Sequence, residues 1–209
     1  MKDLRGKIRD VQRAVGVDAD GIFGPMTAGA VYAALNRREP GGEDPATELE
    51  PIGELDERTM RTFATLDERA REKFERFARL AKATAAAMGC DYVAISGNRT
   101  WDEQNGLYAK GRTAPGPRVT KARGGYSWHN FGLAVDFGVF RGTHYLDSSN
   151  PTLARRVHVA CSAHAEECGL EWGGDWRRFQ DIPHFHIAGF PRTPTAAHRK
   201  EFRERGSVL

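Results

Sequence analysis

The spacing of apolar residues predicts a short helical module at the amino terminus, over residues 1–37. Apolar side chains recur at helical intervals as far as Val15, and Gly16 stands where that helix would end. A loop with two glycines follows, and Thr27 can cap a second helix that reaches Leu35. The pattern therefore predicts a helix, a loop and a second helix.

A linker and a larger domain are predicted to follow this module. Residues 38–51 combine proline, glycine and acidic residues with hardly any apolar ones, which is typical of a linker. From about Asp56 to Met88 the apolar residues return at helical spacing, with a break expected near Asp67, and Gly89 is placed to stop the helix. We therefore expect a second domain over residues 52–209.

Beyond residue 90 the apolar runs shorten to the length of strands. The candidate strands are Tyr92–Ser96, Gly132–Phe137 and Pro183–Ile187, and a helix is predicted between the last two, from Pro151 to Cys168. Short strands among helices favour an α+β fold with a small antiparallel sheet flanked by helices.

Composition places the chain among ordinary globular proteins, because 40% of its 209 residues are hydrophobic and 28% are charged. A formal net charge of +3 is too small to indicate a nucleic-acid partner. No apolar run of signal-peptide or membrane-spanning length follows Met1. We therefore expect a monomer made in the cytoplasm without a signal peptide and not inserted in a membrane. Cys90, Cys161 and Cys168 lack metal-type spacing and are expected to be buried free thiols.

Two distant stretches of the chain carry side chains that bind metals. Ser127–Asp136 contains His129 and Asp136, and Asp181–His186 contains two histidines after a carboxylate. A catalytic zinc needs such a set: three protein ligands, an open position for water and a general base beside it. The first pair stands seven residues apart, which is too far for two ligands one helical turn apart, and Gly132 predicts a turn into a strand that delivers the aspartate.

The second stretch leaves the third ligand open. Alternation along a strand would place His184 and His186 on the same face, so that both lie near the metal. Asp181 is the candidate general base, which would take a proton from the attacking water. Its alternative role is to orient a histidine ligand.

The motif Ser-x-His-x-x-Gly-x-Ala-x-Asp followed by Asp-x-x-His resembles the zinc peptidases that cut peptidoglycan stem peptides. That family includes D-alanyl-D-alanine carboxypeptidases and the L-alanyl-D-glutamate endopeptidases of phage endolysins and bacterial autolysins. Ser96–Thr100 and Trp172–Trp176 are similar to the family too, and the resemblance extends from about Ile52 to Phe190.

The resemblance implies a zinc ion bound by His129, Asp136 and His184. In relatives with a His-x-His pair the second histidine is the ligand, so His186 stays an alternative. The resemblance also implies Asp181 as the catalytic base.

Three further residues are candidates for the site. The resemblance implies that Arg99 stabilises the oxyanion or binds a substrate carboxylate, and the alternative is an ordinary surface salt bridge. Ser127 is expected to fix the His129 loop or to contact substrate, and Trp176 is expected to contact substrate.

The expected function is hydrolysis of the L-alanyl-D-glutamate bond of peptidoglycan at the cell wall, after release through a holin-type pore. The string from Asp20 to Thr27 resembles part of a peptidoglycan-binding module, and its alternative is a capped helical hairpin that packs on the main domain. Two other functions stay open: a D-alanyl-D-alanine carboxypeptidase, and a non-catalytic zinc-containing wall-binding protein. Asp181 and Arg99 argue against the last, because a structural zinc needs neither.

Overall fold

The computed structural model describes residues 4–16 and 54–209. The chain divides into two compact units, Met1–Pro51 and Ile52–Leu209. In the first unit, helix α1 spans Leu4–Val15, and Gly16, with φ of +77°, follows its end as predicted. The second predicted helix, the glycine-rich loop and the linker lie outside the described residues.

Two capped helices open the second unit. Helix α2 spans Glu57–Phe63, and the Asp56 carboxylate caps it by accepting a hydrogen bond from the backbone N–H of Thr59 at 2.9 Å. Asp67 caps helix α3, Glu68–Ala87, in the same way. The predicted break near Asp67 is therefore confirmed, because this residue starts a new helix.

A five-stranded antiparallel sheet follows, with strand order β1-β2-β5-β4 and with β3 paired to the far end of β2. The α+β fold class is confirmed. The strands are β1 Asp91–Ser96, β2 Ala134–Arg141, β3 His144–Tyr145, β4 Leu170–Trp172 and β5 His184–Ile187.

The remaining helices and turns connect these strands. They are α4 Trp101–Ala109, α5 Leu146–Ser149, α6 Pro151–Ser162, α7 Ala196–Arg205 and 3₁₀ turns at Trp128–Phe131, Glu166–Cys168 and Gly173–Asp175.

The predicted helix from Pro151 to Cys168 is wrong over its last six residues. Helix α6 ends at Ser162, and the chain continues through a turn into a 3₁₀ segment. The buried residues Cys161, Ala165 and Cys168 keep a helical spacing across this change. The apolar pattern alone therefore carried no signal of the break.

Helix α3 packs an aromatic layer against the sheet. The Phe77 ring lies 5.3 Å from the ring of Phe137 on β2 and 4.5 Å from that of Phe185 on β5, measured between centroids. All three side chains are fully buried. The core thus contacts the two central strands from the face opposite to the one that carries the candidate site.

Two smaller observations concern the cysteines and the helices. Cys90, Cys161 and Cys168 are buried free thiols, as predicted. Within residues 4–16 and 54–209, no helix combines the length and apolar character needed to cross a membrane.

Gly132 gives a test of the turn that precedes β2. Its φ is +68°, and an added Cβ would lie 2.5 Å from the backbone nitrogen of Asp67. We expect Gly132→Ala to lower the free energy of unfolding by about 3 kcal/mol, because left-handed strain and a backbone clash add together. Urea denaturation measures the change.

Gly142 is the matched control, since its φ is +57° and nothing lies within 4 Å of an added Cβ. Gly142→Ala should cost only about 1 kcal/mol. Equal costs at the two positions would contradict the packing argument.

Candidate metal centre and active-site cleft

The sheet brings two of the predicted ligands together. Asp136 on β2 and His184 on β5 are directly paired across the antiparallel ladder, so their side chains lie on the same face. His129 comes from the 3₁₀ turn just before β2, and Gly132, in the left-handed conformation, redirects the chain into that strand. The predicted turn is therefore present.

Three ligand atoms of these side chains converge on one point. The distance is 3.1 Å from His129 Nε2 to Asp136 Oδ1, 3.2 Å from His129 Nε2 to His184 Nδ1, and 3.2 Å from His184 Nδ1 to Asp136 Oδ1. Tetrahedral zinc, with ligands at about 2.0–2.1 Å, separates them from one another by about 3.3 Å. The three atoms thus stand at the spacing of ligands to a single ion.

The hydrogen bonding of His129 supports the same conclusion. Its Nδ1 lies 2.7 Å from the carbonyl oxygen of Gly97, which can only accept, so Nδ1 carries the hydrogen. Burial lowers the pKa of His129, although Asp136 works in the other direction, and the ring is therefore neutral with a lone pair on Nε2. That lone pair faces a carboxylate oxygen at 3.1 Å. Two hydrogen-bond acceptors this close repel each other unless a cation lies between them, so the contact favours a shared cation.

Arg99 fixes the orientation of the Asp136 carboxylate. Its Nη2 donates to Asp136 Oδ2 at 2.9 Å, which leaves Oδ1 for the ligand cluster. The contact that Arg99 makes is thus with the candidate ligand Asp136, and a role at the oxyanion or at a substrate carboxylate stays a prediction.

Gln104, on α4, is a site residue that the sequence reasoning missed. Its side chain is fully buried, its Oε1 accepts from Arg99 Nη1 at 2.9 Å, and its Nε2 donates to the carbonyl of Ala122 at 2.9 Å. It therefore connects Arg99 to a loop of the cleft wall. A glutamine on a short helix gives no such signal, because its partners come from distant segments.

His186 lies on the same face as His184 but outside the ligand cluster. Their ring centroids are 5.5 Å apart, and His186 is fully buried with no hydrogen-bond partner for either ring nitrogen among the described residues. Its nearest charged neighbour is Glu171, at 3.7 Å from Nε2. Burial lowers the pKa of His186 to about 4, so the ring is neutral.

Asp181 stands in the turn before β5, beside the ligand cluster. Its backbone N–H donates to the Gly173 carbonyl at 3.0 Å, and its own carbonyl accepts from the N–H of His184 at 3.2 Å. Partial desolvation and the negative charge of Asp136 raise the pKa of Asp181, although part of the side chain faces solvent. The carboxyl is thus both accessible and shifted towards neutral pH.

The cluster lies at the floor of a cleft of about 1150 Å³ that Ser127, Asp181 and Trp176 also line. The Trp176 ring centroid is 5.3 Å from that of His184, and the guanidinium of Arg192 stacks on Trp176 at 4.2 Å. The Ser127 side chain makes no capping bond to the 3₁₀ turn. Both predicted substrate residues therefore border the space in front of the ligands.

Part of the chain is similar to known peptidases. A profile of the D-alanyl-D-alanine carboxypeptidase family matches residues 120–187, which contain all three convergent side chains. Residues 120–187 are therefore similar to this peptidase family. A stretch of 113 residues is also 41% identical to the peptidoglycan L-alanyl-D-glutamate endopeptidase CwlK of Bacillus subtilis. That match covers 51% of this chain and 66% of the relative, just under two thirds of its length.

Two solved structures of peptidases are more distantly similar to this chain. The L-Ala D-Glu endopeptidase ChiX of Serratia marcescens gives a TM-score of 0.43 at 21% identity, over 63% of this chain and 87% of its own. VanYB in complex with D-alanine-D-alanine gives 0.41 at 17% identity, over 68% and 79%. Both scores lie below 0.5, so these structural likenesses are weak.

Matched glutamine substitutions distinguish the two candidate third ligands of the cluster. We expect His184→Gln to lower zinc affinity by more than about 100-fold, the upper range for residues that only orient a ligand, because it removes a convergent nitrogen. His186→Gln should keep one zinc per chain. Competition with a chromogenic chelator measures both affinities. Loss of zinc from His186→Gln alone would contradict this assignment.

Arg99→Met tests whether this arginine positions Asp136. We expect zinc affinity to fall about 10–100-fold, because the carboxylate loses the donor that orients it. Arg112→Met, which removes another cleft cation without contacting a ligand, should leave the affinity nearly unchanged. A drop in kcat with unchanged zinc affinity in Arg99→Met would instead place the guanidinium at the reacting carbonyl.

Proposed function

We propose that this chain is a zinc-dependent peptidase that hydrolyses the L-alanyl-D-glutamate bond of peptidoglycan stem peptides. The observation that carries the proposal is the convergence of two imidazole nitrogens and a carboxylate oxygen beside a free carboxyl in a wide cleft. The 41% identity to a peptidoglycan L-alanyl-D-glutamate endopeptidase supports the choice of bond.

The donor set suits zinc. His129 and His184 would supply two imidazole nitrogens and Asp136 one carboxylate oxygen, which is a common ligand set of catalytic zinc. When bound there, zinc would act as a Lewis acid and lower the pKa of water towards neutrality. Arg99 and the Gly97 carbonyl would hold Asp136 and His129 in the orientation that binding requires.

Asp181 would move the protons. In its ionised form the carboxylate takes a proton from the attacking water, and in its protonated form the carboxyl returns that proton to the leaving amine. A general base must pass through both forms in each cycle, and a raised pKa brings the two closer in free energy near neutral pH. Its position three residues before His184, whose N–H donates to the Asp181 carbonyl, keeps it at the cleft floor.

The surrounding segments would hold the polymer. Trp176 and Ser127 border the cleft and would contact the stem peptide. Residues 52–209 would form the peptidase domain, and residues 1–37 would bind the wall that it cuts. A small positive net charge is compatible with an anionic cell wall as the place of action.

A second candidate is removal of the terminal D-alanine by D-alanyl-D-alanine carboxypeptidase activity. The description of the matching family favours it, since that name refers to this reaction. The same ligands and the same base would serve either bond, so the distinction lies in the product.

Mass spectrometry of digested peptidoglycan tests the proposal. We expect the wild type to release peptides with a new amino-terminal D-glutamate, and we expect Asp181→Asn to slow that release about 10²–10⁴-fold while keeping zinc, because the variant lacks the proton acceptor. Asp175→Asn, an exposed aspartate six residues earlier that does not line the cleft, is the matched control and should stay active.

The products decide between the candidates. Loss of terminal D-alanine alone would replace the endopeptidase by the carboxypeptidase. The absence of any cleavage by the zinc-loaded wild type, across walls of different stem composition, would leave a wall-binding protein.

A further inference from the structure

One side of the cleft carries positive charge that the proposed chemistry does not use. Six cationic side chains line the cleft, against the carboxylates of Asp136 and Asp181. Arg99 is paired with Asp136 at the floor. Four of the others belong to the loop between α4 and the His129 turn, and we call them the basic wall. The basic wall consists of Arg112, Arg118, Lys121 and Arg123.

The basic wall is oriented by groups that leave its charge intact. The Arg112 guanidinium stacks 3.9 Å from the centroid of the Tyr108 ring, and its Nη2 donates to the Thr120 carbonyl at 3.1 Å. Lys121 Nζ lies 2.8 Å above the centroid of the Phe179 ring. In the part of the chain that the structure describes, no member of the basic wall forms an ion pair with a carboxylate.

The backbone pins this loop in place. Gly111 has a φ of +67°, and an added Cβ there would lie 2.7 Å from the backbone nitrogen of Arg118. Its N–H donates to the Ala114 carbonyl at 2.9 Å, which closes the turn. The loop therefore folds tightly back on itself and presents Arg118 at the cleft.

Tyr108 lies in the positive electrostatic potential of the basic wall. A hydrogen bond from Arg123, with the charges of Arg112 and Arg118, lowers the pKa of the Tyr108 phenol. Like charges gathered on one wall repel each other, and a bound anion relieves that repulsion. The geometry thus favours a negatively charged ligand on this side of the cleft.

We propose that the basic wall binds a free carboxylate of the stem peptide, so that the enzyme cleaves stems with ionised D-glutamate in preference to amidated ones. A D-glutamyl residue joined onward through one carboxyl keeps the other, either free or as a carboxamide. That group belongs to the residue whose amine leaves, so it enters the cleft with the scissile bond. The inference rests on the proposed endopeptidase function.

Two synthetic stem peptides that differ only in this carboxylate or carboxamide test the proposal. The zinc-loaded wild type should cleave the carboxylate form with a kcat/KM about tenfold higher. The preference for the carboxylate peptide should shrink between 0.1 M and 1 M salt. The reason is that the Debye length falls from about 10 Å to about 3 Å, which screens the solvent-facing charges of the basic wall. The salt series needs no variant.

A double substitution connects the preference to the basic wall. Arg118→Gln with Lys121→Gln should reduce the preference to less than about threefold. The matched control, Arg61→Gln with Lys200→Gln, removes one arginine and one lysine from exposed helix positions outside the cleft and should keep the wild-type ratio. Zinc stoichiometry and thermal unfolding verify that both variants are folded.

Each other outcome overturns the inference in a recognisable way. Equal cleavage of the two peptides by the wild type, or an unchanged preference in the Arg118/Lys121 variant, removes the basic wall as the reader of this carboxylate. The Arg118/Lys121 variant could instead digest whole cell walls more slowly while its preference between the two peptides stays unchanged. That result would mean that the basic wall binds other anionic polymers. Cleavage of neither peptide, with no D-glutamate terminus released from walls, would mean that the proposed function itself fails.

Discussion

The close approach of three electron-pair donors is the constraint around which the second unit is organised. His129 Nε2, Asp136 Oδ1 and His184 Nδ1 lie 3.1–3.2 Å apart. His129 has no hydrogen to give there, because its Nδ1 hydrogen is committed to the Gly97 carbonyl. Placing such groups together is unfavourable unless a cation joins them and the surroundings hold them. The Gly97 carbonyl and Arg99 provide that support from outside the cluster.

One alternating pattern serves both this cluster and the hydrophobic core. Asp136 precedes Phe137 on β2, and His184 precedes Phe185 on β5, so the candidate ligands lie on one face of the sheet and the rings on the other. Phe77 packs against both rings. A register slip of one residue would move ligands into the core and rings into the cleft. The aromatic packing of α3 therefore fixes the ligand geometry that lies across the sheet.

The features that the sequence predicted correctly are those that depend on residues close together in the chain. The helix break at Asp67 and the turn at Gly132 each depend on a capping or glycine residue at a fixed place. The Arg99–Gln104 pair and its link to Asp136 were not predictable as a unit, because they join segments up to 37 residues apart. Strand alternation also could not separate His184 from His186, since both occupy the same face, and only the distances do so.

The arginines of the cleft show why burial decides what a positive charge does. Arg99 is largely buried and spends its charge on Asp136, where water and salt screen the pair little. Three of the four side chains of the basic wall are exposed, and Arg112 is half-buried. Carbonyls and ring faces contact them without neutralising their charge. On the proposed function, the floor therefore keeps its electrostatics at any ionic strength, whereas the wall acts on anions only at moderate salt. On the same proposals, the buried charge of Arg99 serves the chemistry, and the cations of the basic wall serve the choice of substrate.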